Sequence, residues 1–226
     1  GRAPGAALMV ARRGKVALAQ AFGALALDGP AMPLDALFRI YSMTKPIVSV
    51  AAMTLVEEGR LFLTDPLSHY LPAFADVRVG IERAAPKREI TIHDLLRHTS
   101  GLAYGFTGAS PVQREIHAAG LIDSRRDPIE ALDALAALPL MHAPGTAWEY
   151  GLSTDALGRV VEIVAGASLG DVLAKRIFAP LGMSETAFYT PPEKAARRAE
   201  PHGFAALDAA GVDRMSHTAP PRFEMG

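Results

Sequence analysis

Residues 37–59 read LFRIYSMTKPIVSVAAMTLVEEG. The first five residues form a short apolar run that is typical of a β-strand and leads into Ser42. From Pro46 to Glu57 the segment is apolar on nearly every face, which favours a buried helix that ends at Gly59 in the left-handed conformation. Pro46 fits the first turn of this helix, where its missing N–H costs nothing. We therefore expect Ser42 at or just before the N-terminus of a central helix.

Ser42 and Lys45 are three residues apart, so on a helix their side chains share one face, with Cβ atoms about 5–6 Å apart. A serine hydroxyl becomes a good nucleophile only when a base accepts its proton. Lysine can serve as that base if it is neutral, or it can keep a neighbouring base reactive. Burial lowers the pKa of a lysine. The apolar setting for Lys45 is expected from Met43, Pro46, Ile47 and Val48.

The S-x-x-K pattern is weak by itself, because counting template matches gives about 0.2 chance occurrences in a chain of this composition. The alternative interpretation is a serine N-cap with a solvated lysine on the next turn. However, Lys45 leads directly into an apolar helix that carries no charge before Glu57. This position is poor for a solvated lysine and favours a functional pair.

Composition limits the function classes. The chain has 226 residues, 50% of them hydrophobic, and a net charge of −1 without a basic stripe, so we expect no nucleic-acid partner. It has no cysteine, which excludes thiolate catalysis, disulfides and Cys-ligated zinc. The histidines show no metal-binding spacing, so neither metal nor cofactor is expected. No apolar run reaches membrane-spanning length. We expect a cytoplasmic protein, and a periplasmic or secreted location is left open.

The remaining pattern predicts an α/β (α+β) fold. Residues 6–27 read as a β-hairpin around a glycine-containing turn, and Ala187–Tyr189 as a further short strand. The part from 64 to 182 is mainly helical, with a capping box at Thr91–Asp94. We expect a single, partial domain in which 1–63 and 183–226 form the α/β part and 64–182 a helical subdomain.

Three stretches resemble segments of one known superfamily. They are LFRIYSMTKPI at 37–47, ITIHDLLRHTSGL at 90–102 and PGTAWEYGLSTDALGRVVEIVAG at 144–166. Together with the hairpin at 6–27 and PLGM at 180–183, they resemble the serine β-lactamase and penicillin-binding protein superfamily. The resemblance is closest to class C β-lactamases and the related family VIII carboxylesterases. It implies a β-lactamase/transpeptidase-like fold, with an antiparallel sheet flanked by helices and a helical subdomain.

The resemblance also implies roles for individual residues. Ser42 would be the acylated nucleophile, and its backbone N–H would donate to the oxyanion. Lys45 would be the base, or the cation that keeps Tyr150 ionised, and Tyr150 would move the proton to the leaving group. A free tyrosine has a pKa of about 10, which a neighbouring ammonium lowers. Which of the two groups takes the serine proton is left open.

Two departures from the family pattern matter. In class C β-lactamases, Ser-Asn follows the tyrosine, and the asparagine helps to hold the β-lactam amide, whereas here Tyr150 is followed by Gly151 and Leu152. Leucine cannot hydrogen-bond an amide, which favours the esterase branch. The family's later K-T-G, H-x-G or W-G-G strand does not occur after Tyr150, so we expect the chain to be incomplete at its C-terminus.

Several further residues are ambiguous. Tyr41, Tyr104, Trp148 and Leu152 are candidates for substrate binding, and the alternative for the aromatics is ordinary half-buried packing. Gly166–Gly170 matches G-x-S-x-G, but its serine follows a helical rather than a strand pattern, so we expect a helix cap at Ser168. His98 is expected to be structural.

These observations favour a serine hydrolase that cleaves carboxylic esters of short acyl chains through an acyl-serine. One alternative is a β-lactamase or D-alanyl-D-alanine carboxypeptidase. Another is a catalytically silent binding protein with the same fold. The expected partner is a small-molecule ester, and the protein is expected to be a monomer or homodimer.

Overall fold

The structure is a computed structural model that describes residues 4–122, 126–203 and 213–214. Residues 202–203 and 213–214 are described by their backbone only. The described residues divide into two compact units, one formed by those up to Tyr41 together with those from Ala187 onwards, and the other by those within Ser42–Thr186. The expected division into 1–63 with 183–226 and 64–182 stays a prediction, and part of it falls on residues outside the described ranges.

The first unit opens with the predicted hairpin. Strands β1 (Gly5–Arg12) and β2 (Lys15–Gly23) pair antiparallel, with a shift of register between Val10 and Ala11. The connecting residues Arg13 and Gly14 have φ angles of 51° and 74°. Two successive positive φ angles match the right-handed twist of a tight hairpin, so this sequence closes the turn with one glycine.

The rest of the first unit is built from short contacts between distant stretches. Leu37 N–H donates to Arg197 O at 2.8 Å, and Ala199 N–H donates to Leu37 O at 2.9 Å. A small core forms from Leu25, Met32 and Ala199. A 3₁₀ turn spans Pro192–Arg197, and the two-residue strands β3 (His202–Gly203) and β4 (Asp213–Arg214) pair antiparallel.

Two expected strands are absent from the described residues. The run Leu37–Tyr41 makes a single bridge at Leu37 and then enters a 3₁₀ turn, Tyr41–Met43. Tyr41 has a φ of 43°, which an extended strand cannot contain. Ala187–Tyr189 is not a strand and forms a bend at its last two residues. Both predictions were wrong because an apolar run shows burial preference but not whether a partner strand is present.

The second unit is helical, as expected. Its helices are α1 (Thr44–Glu57), α2 (Ile92–Arg97), α3 (Pro111–Ala118), α4 (Pro128–Ala136), α5 (Ser153–Ala165) and α6 (Leu169–Leu173), the last continuing as a π-helical turn (Ala174–Phe178). Two 3₁₀ turns, Leu67–His69 and Pro72–Asp76, precede α2. No helix in the described ranges is long and apolar enough to cross a membrane.

The core of the second unit lies where α5 packs against α1, α2 and α6. Helix α1 buries the face formed by Val48, Ala51, Ala52 and Leu55, and α5 buries Ala156, Leu157, Val160 and Val161. Gly59 ends α1 with a φ of 68°, as predicted. The expectation that α1 is buried all round was wrong, because Val50 and Met53 are exposed. Helix α1 is therefore anchored by one face, and Ser42 precedes its first turn.

Candidate active site

Ser42 lies in the 3₁₀ turn Tyr41–Met43, directly before the first residue of α1, and its side chain is exposed. The preceding residue, Tyr41, has a positive φ, which is uncommon for a bulky side chain and is found at sites where tertiary contacts hold the backbone. The sequence prediction for the position of Ser42 is confirmed. A hydroxyl at the start of a helix also lies in the field of the positive end of the helix dipole.

Lys45 links Ser42 to an aromatic side chain. Its Nζ donates to Tyr104 Oη at 3.0 Å and lies 3.5 Å from Ser42 Oγ. The same nitrogen lies 4.9 Å from the ring centroid of Tyr150. The structure therefore brings Ser42, Lys45 and Tyr150 together, as the resemblance implied, and adds the Tyr104 hydroxyl to them.

The surroundings of Lys45 raise its pKa. Partial burial alone would lower it, but the hydrogen bond to Tyr104, the negative charge of Asp155 and the Tyr150 hydroxyl outweigh that effect. The expected apolar setting was wrong, because Met43 and Pro46 are exposed and two phenols face the amine instead. A raised pKa favours the ammonium form of Lys45, which supports the second of its two implied roles, the cation beside Tyr150.

Tyr150 is held by hydrogen bonds on both sides of its chain position. Glu149 N–H donates to His98 O at 2.8 Å, which fastens the segment to the end of α2. Beyond Tyr150, the buried hydroxyls of Ser100 and Ser153 lie 2.8 Å apart. The HTSGL stretch (98–102) therefore holds the chain on both sides of Tyr150.

Gly151 allows this segment to approach the backbone of the HTSGL stretch. A Cβ atom at Gly151 would lie 2.1 Å from Leu102 O and 2.6 Å from Ala103 Cα, closer than any packing tolerates. This glycine stands where the class C pattern has serine. Glycine in place of serine at position 151 therefore removes a Cβ atom that would not fit, as well as a hydroxyl.

Two further rings surround Tyr150. The rings of His98 and Trp148 lie 5.0 Å and 6.2 Å from it, centroid to centroid. Partial burial, together with the positive charge of Lys45, lowers the pKa of His98, so the imidazole is neutral at neutral pH. Its buried Nδ1 has no hydrogen-bond partner among the described residues. His98 therefore packs beside Tyr150 as an uncharged ring, which agrees with the structural role expected from the sequence.

Asp155 was not identified from the sequence. It lies in the first turn of α5, five residues after Tyr150, and its charge acts on both Lys45 and Tyr104. Its side chain reaches solvent, but the protein atoms around it raise its pKa. Burial and the charge of Asp155 also raise the pKa of Tyr104, which is therefore a neutral phenol. An acidic residue in the first turn is so common in helices that it gives no functional signal.

The four residues predicted to bind substrate lie in different settings. Tyr104 contacts Lys45, Trp148 is exposed and stacks on Tyr150, and Leu152 is buried. Tyr41 is exposed and directly precedes Ser42 in the chain. Substrate binding by these residues stays a prediction.

The G-x-S-x-G match is a helix cap, as expected. The Ser168 hydroxyl accepts the N–H of Asp171 at 3.1 Å, and α5 rather than a strand precedes it. Among the described residues, no three His, Asp or Glu side chains are grouped as metal ligands.

Comparison with known proteins adds independent information. The β-lactamase family model matches residues 1–220 of the chain. Protein Rv1367c of Mycobacterium tuberculosis is 38% identical over 229 residues, which cover 97% of this chain and 56% of that protein. Esterase EstB of Burkholderia gladioli is 39% identical over 209 residues, which cover 90% of this chain and 50% of the esterase.

A solved structure shows the same architecture. EstCE1, described as a hydrolase with promiscuous acyltransferase activity, matches with a TM-score of 0.82 and 31% identity over 95% of this chain and 55% of that one. The chain thus spans about half the length of the relatives that it matches.

Proposed function

The chain belongs to the β-lactamase family and has a β-lactamase/transpeptidase-like fold, and we propose that it is a serine hydrolase that cleaves carboxylic esters of short acyl chains. The observation that carries the proposal is the position of Lys45 Nζ, 3.5 Å from Ser42 Oγ and 4.9 Å from the ring centroid of Tyr150. Similarity to an esterase and to a hydrolase supports it.

In the proposed reaction, Ser42 Oγ attacks the ester carbonyl carbon and its proton passes to the oxygen of Tyr150, which passes a proton on to the leaving alcohol oxygen. Lys45 stabilises the negative charge that develops on the Tyr150 oxygen. The acyl group stays on Ser42. A water oxygen then attacks the acyl carbon, Tyr150 takes the water proton and returns a proton to Ser42 Oγ, and the carboxylic acid leaves. The Ser42 N–H donates to the developing oxyanion.

The residue at position 152 favours esters over β-lactams. Leu152 is only 6% exposed and has no group that can hydrogen-bond an amide. A site built to bind an amide loses much of its discrimination when one polar partner is missing. An ester without an amide side group does not require that partner.

The test replaces Ser42 by Ala and measures the hydrolysis of p-nitrophenyl acetate. We expect turnover to be lost, because among the described residues no other serine hydroxyl bonds to Lys45. Ser184→Ala, at an exposed serine, is the matched control and should keep full activity. Full activity of Ser42→Ala would refute the assignment.

Two measurements separate this proposal from its alternatives. Nitrocefin turnover much faster than ester turnover would indicate a β-lactamase or D-alanyl-D-alanine carboxypeptidase. Failure of a fluorophosphonate probe to label Ser42 would indicate a catalytically silent binding protein.

The cellular setting is part of the same proposal. We expect a cytoplasmic protein, monomeric or homodimeric, that acts on a small-molecule ester without a cofactor. Cell fractionation and size-exclusion chromatography test these expectations.

A further inference from the structure

A small cavity opens beside the candidate catalytic residues. It has a volume of about 240 Å³ and lies between the segment after the HTSGL stretch, the C-terminal half of α3 and the turn that follows α3. Its apolar lining includes Tyr104, Phe106, Ile116, Leu121, Ile122 and Leu152. A second cavity of about 260 Å³, beside the π-helical turn, contains none of Ser42, Lys45 or Tyr150.

Two residues connect this cavity to the site of the chemistry. The Tyr104 hydroxyl accepts a hydrogen bond from Lys45, while the Tyr104 ring forms part of the cavity wall. Leu152 follows Tyr150 by two residues and closes another side. A group bound in the cavity would therefore lie next to the ester bond that Ser42 attacks.

The wall on the Tyr104 side is preformed. Gly105 lies directly on α3, since a Cβ atom there would be 2.3 Å from His117 N. The Phe106 ring stacks on that of Tyr104, with centroids 4.8 Å apart. The next residue, Thr107, donates to Tyr104 O at 3.0 Å and accepts from Gln113 Nε2 at 3.1 Å. These contacts hold the segment in place without a ligand.

The lining determines what can bind. Four of its side chains are hydrocarbon and one is the Phe106 ring. The two polar groups are the Tyr104 hydroxyl, which already bonds to Lys45, and the exposed imidazole of His117, so the lining is mainly apolar. The volume is below the roughly 300–1,000 Å³ of pockets for drug-sized ligands, so the occupant is small. A short unbranched chain or a small ring satisfies both conditions.

We propose that this cavity binds a short hydrocarbon group of the ester and sets the chain length that the enzyme prefers. The inference rests on the proposed function. The group can belong to the acyl part or to the alcohol part, and the two share the same apolar chemistry. Each methylene that enters should raise kcat/KM by about fourfold until the cavity is full.

The test uses two ester series, p-nitrophenyl esters with acyl chains of two to eight carbons and acetates of straight-chain alcohols of the same lengths. Ile122→Trp fills the mouth of the cavity and should move the optimum of kcat/KM to shorter chains. Phe106→Ala widens it and should move the optimum to longer chains. The series in which the optimum moves identifies the part of the ester that binds.

The matched control is Phe62→Ala. Phe62 is 57% exposed and Phe106 is 59% exposed, and Phe62 does not line the cavity, so its replacement should leave the optimum unchanged. Thermal melting shows whether each variant folds. An optimum that stays at the same chain length in both series for Ile122→Trp and Phe106→Ala would overturn the inference.

Failure of the proposed function would look different. If no ester is hydrolysed, calorimetric titration with straight-chain alcohols of two to eight carbons still measures the preferred length. A shift of that length in Ile122→Trp supports the cavity as a binding site. An unchanged length dependence, or no binding by the wild type, contradicts it.

Discussion

The charge of Lys45 depends on the groups that face it. Tyr104 Oη accepts a hydrogen bond from Lys45 Nζ at 3.0 Å, and Asp155 adds a negative charge nearby. Because these contacts favour the ammonium, the proposed reaction uses Lys45 to stabilise an anion and Tyr150 to transfer the proton of Ser42. In this proposal, Tyr104 positions the ammonium.

Tyr104→Phe tests this positioning. Loss of a hydrogen bond to a charged group costs about 1.5–3 kcal/mol, so we expect kcat/KM to fall about 10- to 100-fold. The Tyr104 hydroxyl raises the pKa of Lys45, so its removal lowers that pKa. Activity that requires the ammonium is lost as pH rises through this pKa, and the loss should begin at lower pH in the variant. The pH profile of kcat/KM measures the shift.

Tyr70→Phe is the matched control. Tyr70 Oη donates to Asp65 at 2.6 Å, and partial burial together with that carboxylate raises the pKa of Tyr70 to about 12. This hydroxyl bonds neither Ser42 nor Lys45, so the basic limb of the profile should stay in place. A basic limb at the same pH in Tyr104→Phe and in the wild type would contradict the role of Tyr104.

The relative positions of helices α1, α2 and α5 decide where the site residues lie. Helix α5 packs against the other two, so the segment before it, which carries Tyr150, is brought close to the start of α1. The Arg88–Asp94 pair and the capping box of Thr91 stabilise the start of α2, whose end holds Glu149. At the element scale, stability and site geometry therefore depend on the same contacts.

Gly151→Ala tests the close approach at Tyr150. The added Cβ would meet Leu102 O at 2.1 Å, so the segment has to move. Overpacking of this kind costs about 1–3 kcal/mol. A displacement of about 1 Å at a reacting group costs about 100-fold in rate. We expect both losses, measured by urea unfolding and by kcat/KM for p-nitrophenyl acetate.

Gly166→Ala provides the comparison. Gly166 ends α5 with a φ of 71°, and a Cβ there would meet no atom within 4 Å. Its replacement should cost about 1 kcal/mol of stability through the backbone alone and leave the activity of the folded enzyme intact. Equal activity of Gly151→Ala and the wild type would contradict the prediction that the close approach at Gly151 sets the position of Tyr150.

Asp94→Asn tests the start of α2. The Asp94 side chain is only 2% exposed, and burial opposes its ionisation. The hydrogen bonds from Arg88, Thr91 and Thr99 outweigh burial and lower its pKa from 3.8 to about 2. A carboxylate with a lowered pKa stabilises the fold above its unfolded pKa, and this contribution, here about 2 kcal/mol, is lost as pH falls through the folded value.

The measurement is the free energy of unfolding in urea at several pH values. Wild type and Asp94→Asn should differ at neutral pH and converge as the pH falls from about 4 towards 2. Asp76→Asn is the control, because the Arg78–Asp76 pair is exposed and contributes little. A difference between wild type and Asp94→Asn that is the same at every pH would contradict the role of the ionised carboxyl.

At the scale of the whole molecule, Ser42 alone among the eight serines that the structure describes hydrogen-bonds to a lysine. Ser168 has the G-x-S-x-G sequence but bonds to the N–H and the carboxylate of Asp171 as a helix cap. Reactivity towards an acylating reagent should therefore follow position in the fold and not the local motif.

Intact-mass analysis with a fluorophosphonate tests this expectation. We expect one adduct for the wild type, none for Ser42→Ala and one for Ser168→Ala. Ser168→Ala loses a cap worth about 1 kcal/mol, which lowers thermal stability without changing the number of adducts. Loss of the adduct in Ser168→Ala, at a temperature where the variant is folded, would show that Ser168 and not Ser42 is the nucleophile.

The sequence by itself determined the hairpin, the helix α1 with its glycine stop, the caps at Thr91 and Ser168, and the family with its Ser42–Lys45 pair. These features depend on periodicity, turn chemistry and motif spacing, all of which act over a few neighbouring residues. The strands expected at Leu37–Tyr41 and Ala187–Tyr189 failed because a strand needs a partner that local sequence does not specify.

Only the tertiary structure decided the charge of Lys45, the contact with Tyr104 and the apolar cavity. Tyr104 is 59 residues from Lys45 in the chain, so its hydrogen bond exists only once the helices have packed. A pKa depends on every charge and dipole within several ångströms, whatever its distance along the sequence. The same holds for the cavity, whose walls come from three separate stretches of the chain.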